Sequence, residues 1–240
     1  MPELFTQRRD NVSSIYTFDN ASVLYPVYAS VSDRAEVANN SITKRIVDIV
    51  FTIILFCTVF IWLFPLIALI IKLTSKGPVF FAQQRTGLNG TSIYCYKFRT
   101  MEDGCKSVDH TGKYLQAVKN DPRVTRIGSI LRRTSLDELP QFWNVLKGDM
   151  TIVGPRPHPE ELNKECEGVI DKYELRYLIK PGITGVAQVR GYRGGTPNVH
   201  LMQARINHDI WYIRNWSILL DVKIMFLTGY TIFAGDENAY

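Results

Sequence analysis

IVFTIILFCTVFIWLFPLIALII, residues Ile49 to Ile71, is a 23-residue run without one charged side chain. Apolar stretches longer than about 18 residues belong in a bilayer rather than in the core of a small domain. As a straight helix rising about 1.5 Å per residue it would reach about 35 Å, enough for a hydrocarbon core of about 30 Å. The chain average hides this segment: 240 residues, 46% hydrophobic, 21% charged and a mean hydropathy of −0.05 describe an ordinary soluble protein. With no second run of that length, a multi-span transporter is not expected.

Two features qualify the run. Pro65 interrupts it, and proline removes a backbone donor and kinks a helix. Basic residues flank both ends, Lys44 and Arg45 before, Lys72 and Lys76 after. A single span therefore gains no orientation from the bias of basic residues toward the cytoplasm. A re-entrant helix hairpin over residues 44–76, breaking at Pro65 and returning to the same face, satisfies both ends. That hairpin is the expected arrangement, with a spanning helix as the alternative. A secretory signal is not expected, because the run starts about fifty residues in and no small-residue cleavage pattern follows. Residues 1–43 are polar, with Ser, Asn and Asp clusters, and read as a loosely ordered extension.

Charge is also unevenly placed. Residues 1–48 carry a net charge of −1, whereas residues 72–240 carry 23 basic and 17 acidic side chains, net +6. A basic domain at a membrane suits anionic lipid headgroups and phosphate-bearing substrates; a merely well-solvated surface is the plainer alternative. No Lys/Arg run or nucleic-acid motif appears, so nucleic acid is not an expected partner. Cys57, Cys95, Cys105 and Cys166 lack the spacing of a disulfide framework or a zinc site, and the four histidines show no metal-ligand spacing.

Residues 77–240 form the expected main domain. Val79–Ala82 and Ile93–Phe98 flank the turn-forming Asn89-Gly90 and predict a β-hairpin. Glu102–Asn120 is polar and aperiodic, a loop bordering whatever the domain binds. Short helices are predicted at Ile127–Leu131 and Leu136–Leu146, the second started by a capping box from Ser135 to Glu138. Thr151–Val153 leads into the stiff loop Gly154-Pro155-Arg156-Pro157. A helical stretch is expected from Pro159 to Leu178, a turn-rich loop over Lys180–Gly185 and a short strand over Val186–Val189. The tail from Leu201 to Phe233 is helical in character, with large aromatic residues that suit the bilayer interface or the domain core equally. The fold class is thus α+β: mostly helical and membrane-associated, with a small β-hairpin.

The sharpest chemical feature is the adjacent pair Asp137 and Glu138 at a predicted helix N-terminus, where free amides and the helix dipole keep a carboxylate ionised. An ionised Asp is a nucleophile toward phosphorus, and a neighbouring Glu is a ligand for Mg²⁺. The same four residues also make an ordinary helix start. Arg156, stiffened by Pro155 and Pro157, presents a guanidinium fork suited to a diphosphate or to a plain surface turn. Lys97 and Arg99 alternate along a predicted strand and would share one face, as a phosphate-binding edge or as charges that blunt an exposed edge.

Seven short motifs occur together and in order: Lys44-Arg45-x-x-Asp48 before the apolar run, Gln83-x-Arg85-x-Gly87, Tyr96-Lys97-Phe98-Arg99-Thr100-Met101, Ser135-Leu136-Asp137-Glu138-Leu139-Pro140-Gln141, Asn144-Val145-Leu146-Lys147-Gly148-Asp149-Met150, Gly154-Pro155-Arg156-Pro157 and Pro181-Gly182-Ile183-Thr184-Gly185. The series resembles the bacterial sugar transferase family, the monotopic phosphoglycosyl transferases or undecaprenyl-phosphate sugar phosphotransferases, over Lys44 to Leu227. The resemblance implies transfer of a sugar 1-phosphate from a UDP-sugar to undecaprenyl phosphate with release of UMP. That reaction takes place at the cytoplasmic face of the bacterial inner membrane and opens assembly of O-antigen, capsule, exopolysaccharide or glycoprotein glycans. It implies Asp137 as nucleophile of a covalent phosphosugar intermediate and Glu138 as its Mg²⁺-associated partner. Lys97, Arg99, Arg156 and Arg85 become phosphate-binding residues, and Asp209 a tail acid that also lines the site. A homo-oligomer is compatible with this picture. Two departures stand out: Phe64-Pro65 replaces the Ser-Pro that often marks the helix break, and Val186 stands where the family often has Trp. The rivals are a membrane-associated glycosyltransferase that releases UDP, and a non-catalytic assembly protein on the same scaffold.

Overall fold

A computed structural model describes residues 21–234 apart from residues 107, 111–113, 119 and 196–197. The first twenty residues of the expected polar extension lie outside the described residues. The remainder of that extension is not loose. Ala21–Asn39 forms helix α1, whose Val31, Ala35 and Ala38 are buried in the core. Arg34 reaches across to the carbonyls of Arg214 and Trp216, and Asn39 ties down Leu178 and Lys180. The polar composition of this segment reflects its outer face; small residues one turn apart on the inner face let it pack closely.

The apolar run belongs to a helix from Ile42 to Thr74: α2 (Ile42–Leu55), a wider π turn (Phe56–Phe60) and α3 (Ile61–Thr74). It is the one described helix long and apolar enough to cross a membrane. No loop or turn opens at Pro65, which lies inside α3, so the expected break there does not appear. The irregularity falls one turn earlier. Proline lacks the donor that would pair with the carbonyl four residues back, Ile61, and the π turn ends at that residue.

One side of this helix is held by the domain from end to end. Lys44, Asp48, Thr52, Phe60, Ile67 and Ile71 are buried, a stripe at roughly one residue per turn. Lys44 Nζ contacts Asp221 Oδ2 at 2.6 Å and the Val153 carbonyl at 3.0 Å. Asp48 accepts from the Thr151 hydroxyl and the Ile152 amide, while Arg45 caps the last carbonyls of α5 (Gln141–Lys147). Further along, Phe60 packs against Phe142 with tilted rings and Phe64 meets Phe98 edge-on, with ring centroids 5.1 Å apart. Ile46, Val50, Ile54, Trp62, Leu66, Leu69 and Leu73 face outward. Such a surface is stable only against lipid or another apolar body.

The hairpin forms as expected. β1 (Phe80–Thr86) pairs antiparallel with β2 (Ser92–Phe98) in the register Phe80↔Phe98 to Thr86↔Ser92, and Asn89 and Gly90 take the positive φ that the turn requires. Asn144 of α5 holds β2 through the Tyr94 carbonyl and the Tyr96 amide. A second, parallel pair joins β3 (Thr151–Val153) to β4 (Gly182–Thr184). The sequence motif at Gly182 is therefore a strand rather than a turn-rich loop. Gly154 and Gly182 come so close that a Cβ on either would overlap the other's backbone.

The other helices are α4 (Arg126–Arg133), α6 (Glu160–Cys166), α7 (Val186–Val189), α8 (Val199–Arg214) and α9 (Ile218–Ala234), with 3₁₀ turns at Leu136–Glu138 and Tyr173–Leu178. Val186–Val189 is thus helical and not a strand, since Gly185 in extended conformation ends β4 just before it. The expected helix over Pro159–Leu178 divides at Gly168 and Lys172, both at positive φ. The expected tail helix divides at Asn215-Trp216 into α8 and α9.

Candidate active site

Asp137 and Glu138 do not start a helix through a capping box. Ser135 has φ 61° and makes no cap; it takes the left-handed position that terminates α4, and its hydroxyl is buried without a hydrogen-bond partner. The two carboxylates sit on the following 3₁₀ turn, both buried, at the floor of a cavity of about 330 Å³. Its walls are the inner face of the hairpin, residues from the Met101–Ala117 loop, the Arg156–Pro159 segment and Arg193–Gly195. The polar loop over Glu102–Asn120 thus borders the site as expected.

The pair is asymmetric. Arg156 donates to both oxygens of Glu138, Nη1 to Oε2 at 2.9 Å and Nη2 to Oε1 at 2.5 Å, and Lys97 Nζ reaches Oε1 at 2.9 Å. Among the described residues, no hydrogen bond or ion pair takes up the Asp137 carboxylate. Burial pushes its carboxyl above the ordinary Asp value, Lys97 opposing and the charge of Glu138 adding to the rise. The helix-terminus effect that would keep it ionised is absent, because the turn is three residues long. Burial acts on Glu138 as well, but Arg156 and Lys97 outweigh it and hold that carboxyl well below the usual range. Environment therefore pushes the two carboxyls in opposite directions.

Arg156 itself is built from behind. The Gly154–Pro157 loop is pinned by β3–β4 pairing, with the Gly154 amide donating to Thr184 and the Gly182 amide to Pro155. Arg176 donates to the Arg156 carbonyl, and Arg85 to the Pro157 carbonyl. Arg85, expected to bind phosphate, spends Nη2 on Gln83 as well; its Nε is buried and unpartnered at the cavity wall. Arg99 does not share a task with Lys97. Past the end of β2, its guanidinium takes the carbonyls of Pro78, Met101 and Ser75 and fastens the exit of the apolar Ile42–Thr74 helix.

Asp209 does not line the cavity. It lies one layer back on α8, fully buried, with Arg176 Nη2 3.1 Å from its Oδ2, close enough for charge pairing but off the angle of a hydrogen bond. Burial pushes its carboxyl up to about 6 against the pull of Arg176 and Arg205. Around it, Tyr173 donates to Asn163, and His158 contacts Tyr173 and Arg205. His158 stays neutral, its imidazole pushed far down by burial and by the neighbouring arginines. This network, and the cavity arginines Arg132 and Arg193, carried no signal in the sequence. Their contacts lie 10 to 50 residues apart along the chain, with no local motif to mark them.

Residues 39–235 match the family model described as bacterial sugar transferase. Over 174 residues the chain is 51% identical to a UDP-glucose:undecaprenyl-phosphate glucose-1-phosphate transferase of Xanthomonas campestris pv. campestris, covering 72% of this chain and 35% of that protein. A protein of the same name from Caulobacter vibrioides is 47% identical over 200 residues, covering 82% of this chain and 72% of the relative. A UDP-N-acetylgalactosamine-undecaprenyl-phosphate N-acetylgalactosaminephosphotransferase of Aeromonas hydrophila is 43% identical over 169 residues, 70% of this chain and 38% of the relative. The chain spans well under half the length of the Xanthomonas relative and of similar proteins from Klebsiella pneumoniae and Escherichia coli.

Proposed function

Because the chain belongs to the bacterial sugar transferase family, we propose that it transfers a sugar 1-phosphate from a UDP-sugar to undecaprenyl phosphate, releasing UMP, as the first membrane step of a lipid-linked glycan. The observation that carries this reading is the unequal carboxylate pair in a basic cavity: Glu138 neutralised by Arg156 and Lys97, and Asp137 left without a partner.

Asp137 is the nucleophile in this reading. A carboxylate oxygen attacks the phosphorus that bears the sugar, and the bond from that phosphorus to the bridging oxygen breaks. UMP departs with the oxygen and its electron pair. A phosphate oxygen of the lipid acceptor then attacks the same phosphorus and displaces the carboxylate, restoring Asp137. Arg156 and Lys97 face the transferring phosphate from the Glu138 side, and Arg132 and Arg193 line the same cavity. Charge fixed in a buried site needs no reorganisation as the diphosphate charge shifts.

Mg²⁺ is the proposed cofactor. Among the described residues no group of three acidic, His or Cys side chains gathers, and Glu138 already shares its oxygens with two cations. The adjacent carboxylates of Asp137 and Glu138 fit an ion that takes its remaining ligands from the diphosphate and water, the usual habit of Mg²⁺. When bound, it would neutralise charge developing on the departing phosphate.

The outward apolar side of the Ile42–Thr74 helix is proposed to sit in the cytoplasmic leaflet of the bacterial inner membrane. The other side is bound to the polar domain from Lys44 to Ile71. A helix held in this way would lie sideways in one leaflet with both ends on the same face, in place of a hairpin broken at Pro65. Relatives named for glucose and for N-acetylgalactosamine each match about 70% of the chain, so the sugar is left to experiment. The nucleotide product across a panel of UDP-sugars tests the reaction: UMP is expected, and UDP would overturn it. Without lipid acceptor, labelled sugar phosphate should remain on the wild-type protein and be lost in Asp137→Asn.

A further inference from the structure

The cavity has two chemically different ends, and β1 measures the distance between them. Arg85, at its far end, donates to the Pro157 carbonyl and bridges Pro159. There the lining is His158, Arg205 and Gly194, the last two joined by a 2.5 Å hydrogen bond. Phe81 lies four residues earlier on the same face, about 13 Å away at the usual strand rise of about 3.3 Å per residue. At its end the lining includes Pro78, Phe81 and Met101, with Arg99, Glu102 and Asp103 beside them. Phe81 pairs across the hairpin with Lys97, the lysine that holds Glu138, so the two side chains share one face of the hairpin.

This apolar lip is exposed and yet built. Phe81 is 47% exposed, and Phe80 beside it is equally open. Arg99 fixes the lip's backbone by accepting no freedom at either side: its guanidinium binds the Pro78 and Met101 carbonyls together with Ser75 at the end of the membrane-facing helix. A line of rings continues the lip into that helix, Phe80 stacked on Phe98 at 5.3 Å and Phe98 against Phe64. Arg99 and this ring stack around buried Phe98 tie the lip to the end of the apolar helix, at the edge of the cavity where positive charge begins.

We propose that Pro78, Phe81 and Met101 form the docking lip for the first isoprene units of the polyprenyl phosphate acceptor, while the nucleotide occupies the end formed by Arg205 and Gly194. The proposal rests on the acceptor reading given above. An apolar chain ending in a phosphate matches this sequence of surfaces: hydrocarbon along the helix, the chain's head across Phe81, the phosphate at Lys97 beside Asp137. The nucleotide, soluble and without an apolar tail, needs no path through the lip.

The test compares wild type, Phe81→Ser, Phe81→Leu and Trp143→Ser in nanodiscs, using whichever UDP-sugar supports nucleotide release. Trp143 is an exposed aromatic of α5 outside the cavity and controls for membrane affinity. Losing a half-buried aromatic contact should raise the KM for undecaprenyl phosphate about tenfold in Phe81→Ser. Phe81→Leu should restore it, and the KM for the UDP-sugar should not move. With ethyl phosphate as a chainless acceptor, Phe81→Ser and wild type should be equal. A rise confined to the UDP-sugar KM would place the ring on the sugar and overturn the proposal, as would an equal effect in Trp143→Ser. Release of UDP by the wild type would instead overturn the reaction, leaving the lipid comparison to report on the lip by itself.

Discussion

Two neighbouring carboxylates with opposite environments carry opposite predictions. Asp137→Asn should reduce transfer by about a thousandfold or more, because the proposed nucleophile is gone. Glu138→Gln should act through stability as well, since Arg156 and Lys97 would be left as buried charges without their counter-ion. Breaking such a cluster costs about 3 kcal/mol or more, readable as a fall in the thermal midpoint. Burial raises the Asp137 carboxyl, so its protonation begins at higher pH than for an ordinary Asp. The acid limb of the UMP burst should accordingly lie above pH 3.8, the unperturbed value; a limb at or below that value would contradict the assignment. Asp209 gives a second, independent pH effect. Its folded-state value of about 6 exceeds the unperturbed 3.8, so the native state holds the extra proton between them. The contribution of Asp209 to stability therefore falls as pH rises from about 4 to about 6 and is constant beyond. Asp209→Asn should flatten that slope in thermal melts, because no group is left there to titrate.

Elements were legible where a local pattern dictated them. The hairpin follows from β-prone runs around Asn89-Gly90. The site residues Asp137, Glu138, Lys97 and Arg156 meet in one cluster because their motifs lie on elements the sequence marks clearly. Other elements were decided by long-range packing. Ser135 ends α4 rather than starting α5, since the same serine suits either side of a helix boundary. Gly182–Thr184 became a strand only because β3 lies alongside it, and Ala21–Asn39 a helix only because Val31, Ala35 and Ala38 meet α8 and the Tyr173–Leu178 turn. Arg99 shows the limit of strand alternation, which holds within β2 and lapses one residue past its end. At the same scale, Phe60 is the joint of the membrane-facing helix, 2% exposed and touching Phe56, Phe64 and Phe142. Phe60→Ala should cost about 3–5 kcal/mol, whereas Ala at outward-facing Leu69 should leave the detergent-solubilised protein's melting almost unchanged.

For the whole molecule, the membrane-facing helix and the basic cavity belong to one arrangement. Lys44, Asp48 and Arg45 fasten one end of the helix, Arg99 the other, and the cavity opens beside that second end. A thiol label on a cysteine placed near Ile42 should therefore report the same membrane side as one placed near Lys76. Labelling from opposite sides would require the helix to leave the domain and span. The cavity's excess of arginine also makes nucleotide capture salt-dependent: the KM for the UDP-sugar should rise with ionic strength as these charges are screened.

Phe60 and the rings of Phe98 and Phe142 draw one further consequence. In many membrane enzymes the anchor is a stalk that can be clipped to release a working soluble domain. Here the anchor is also a wall of the house: Phe60 lies in the main core, and Ile67 and Ile71 complete a second core with Phe98 and Leu131. Cutting the chain after Lys76 would unroof both. The catalytic unit should be recoverable only together with its helix and an amphiphile to cover the helix's outer side.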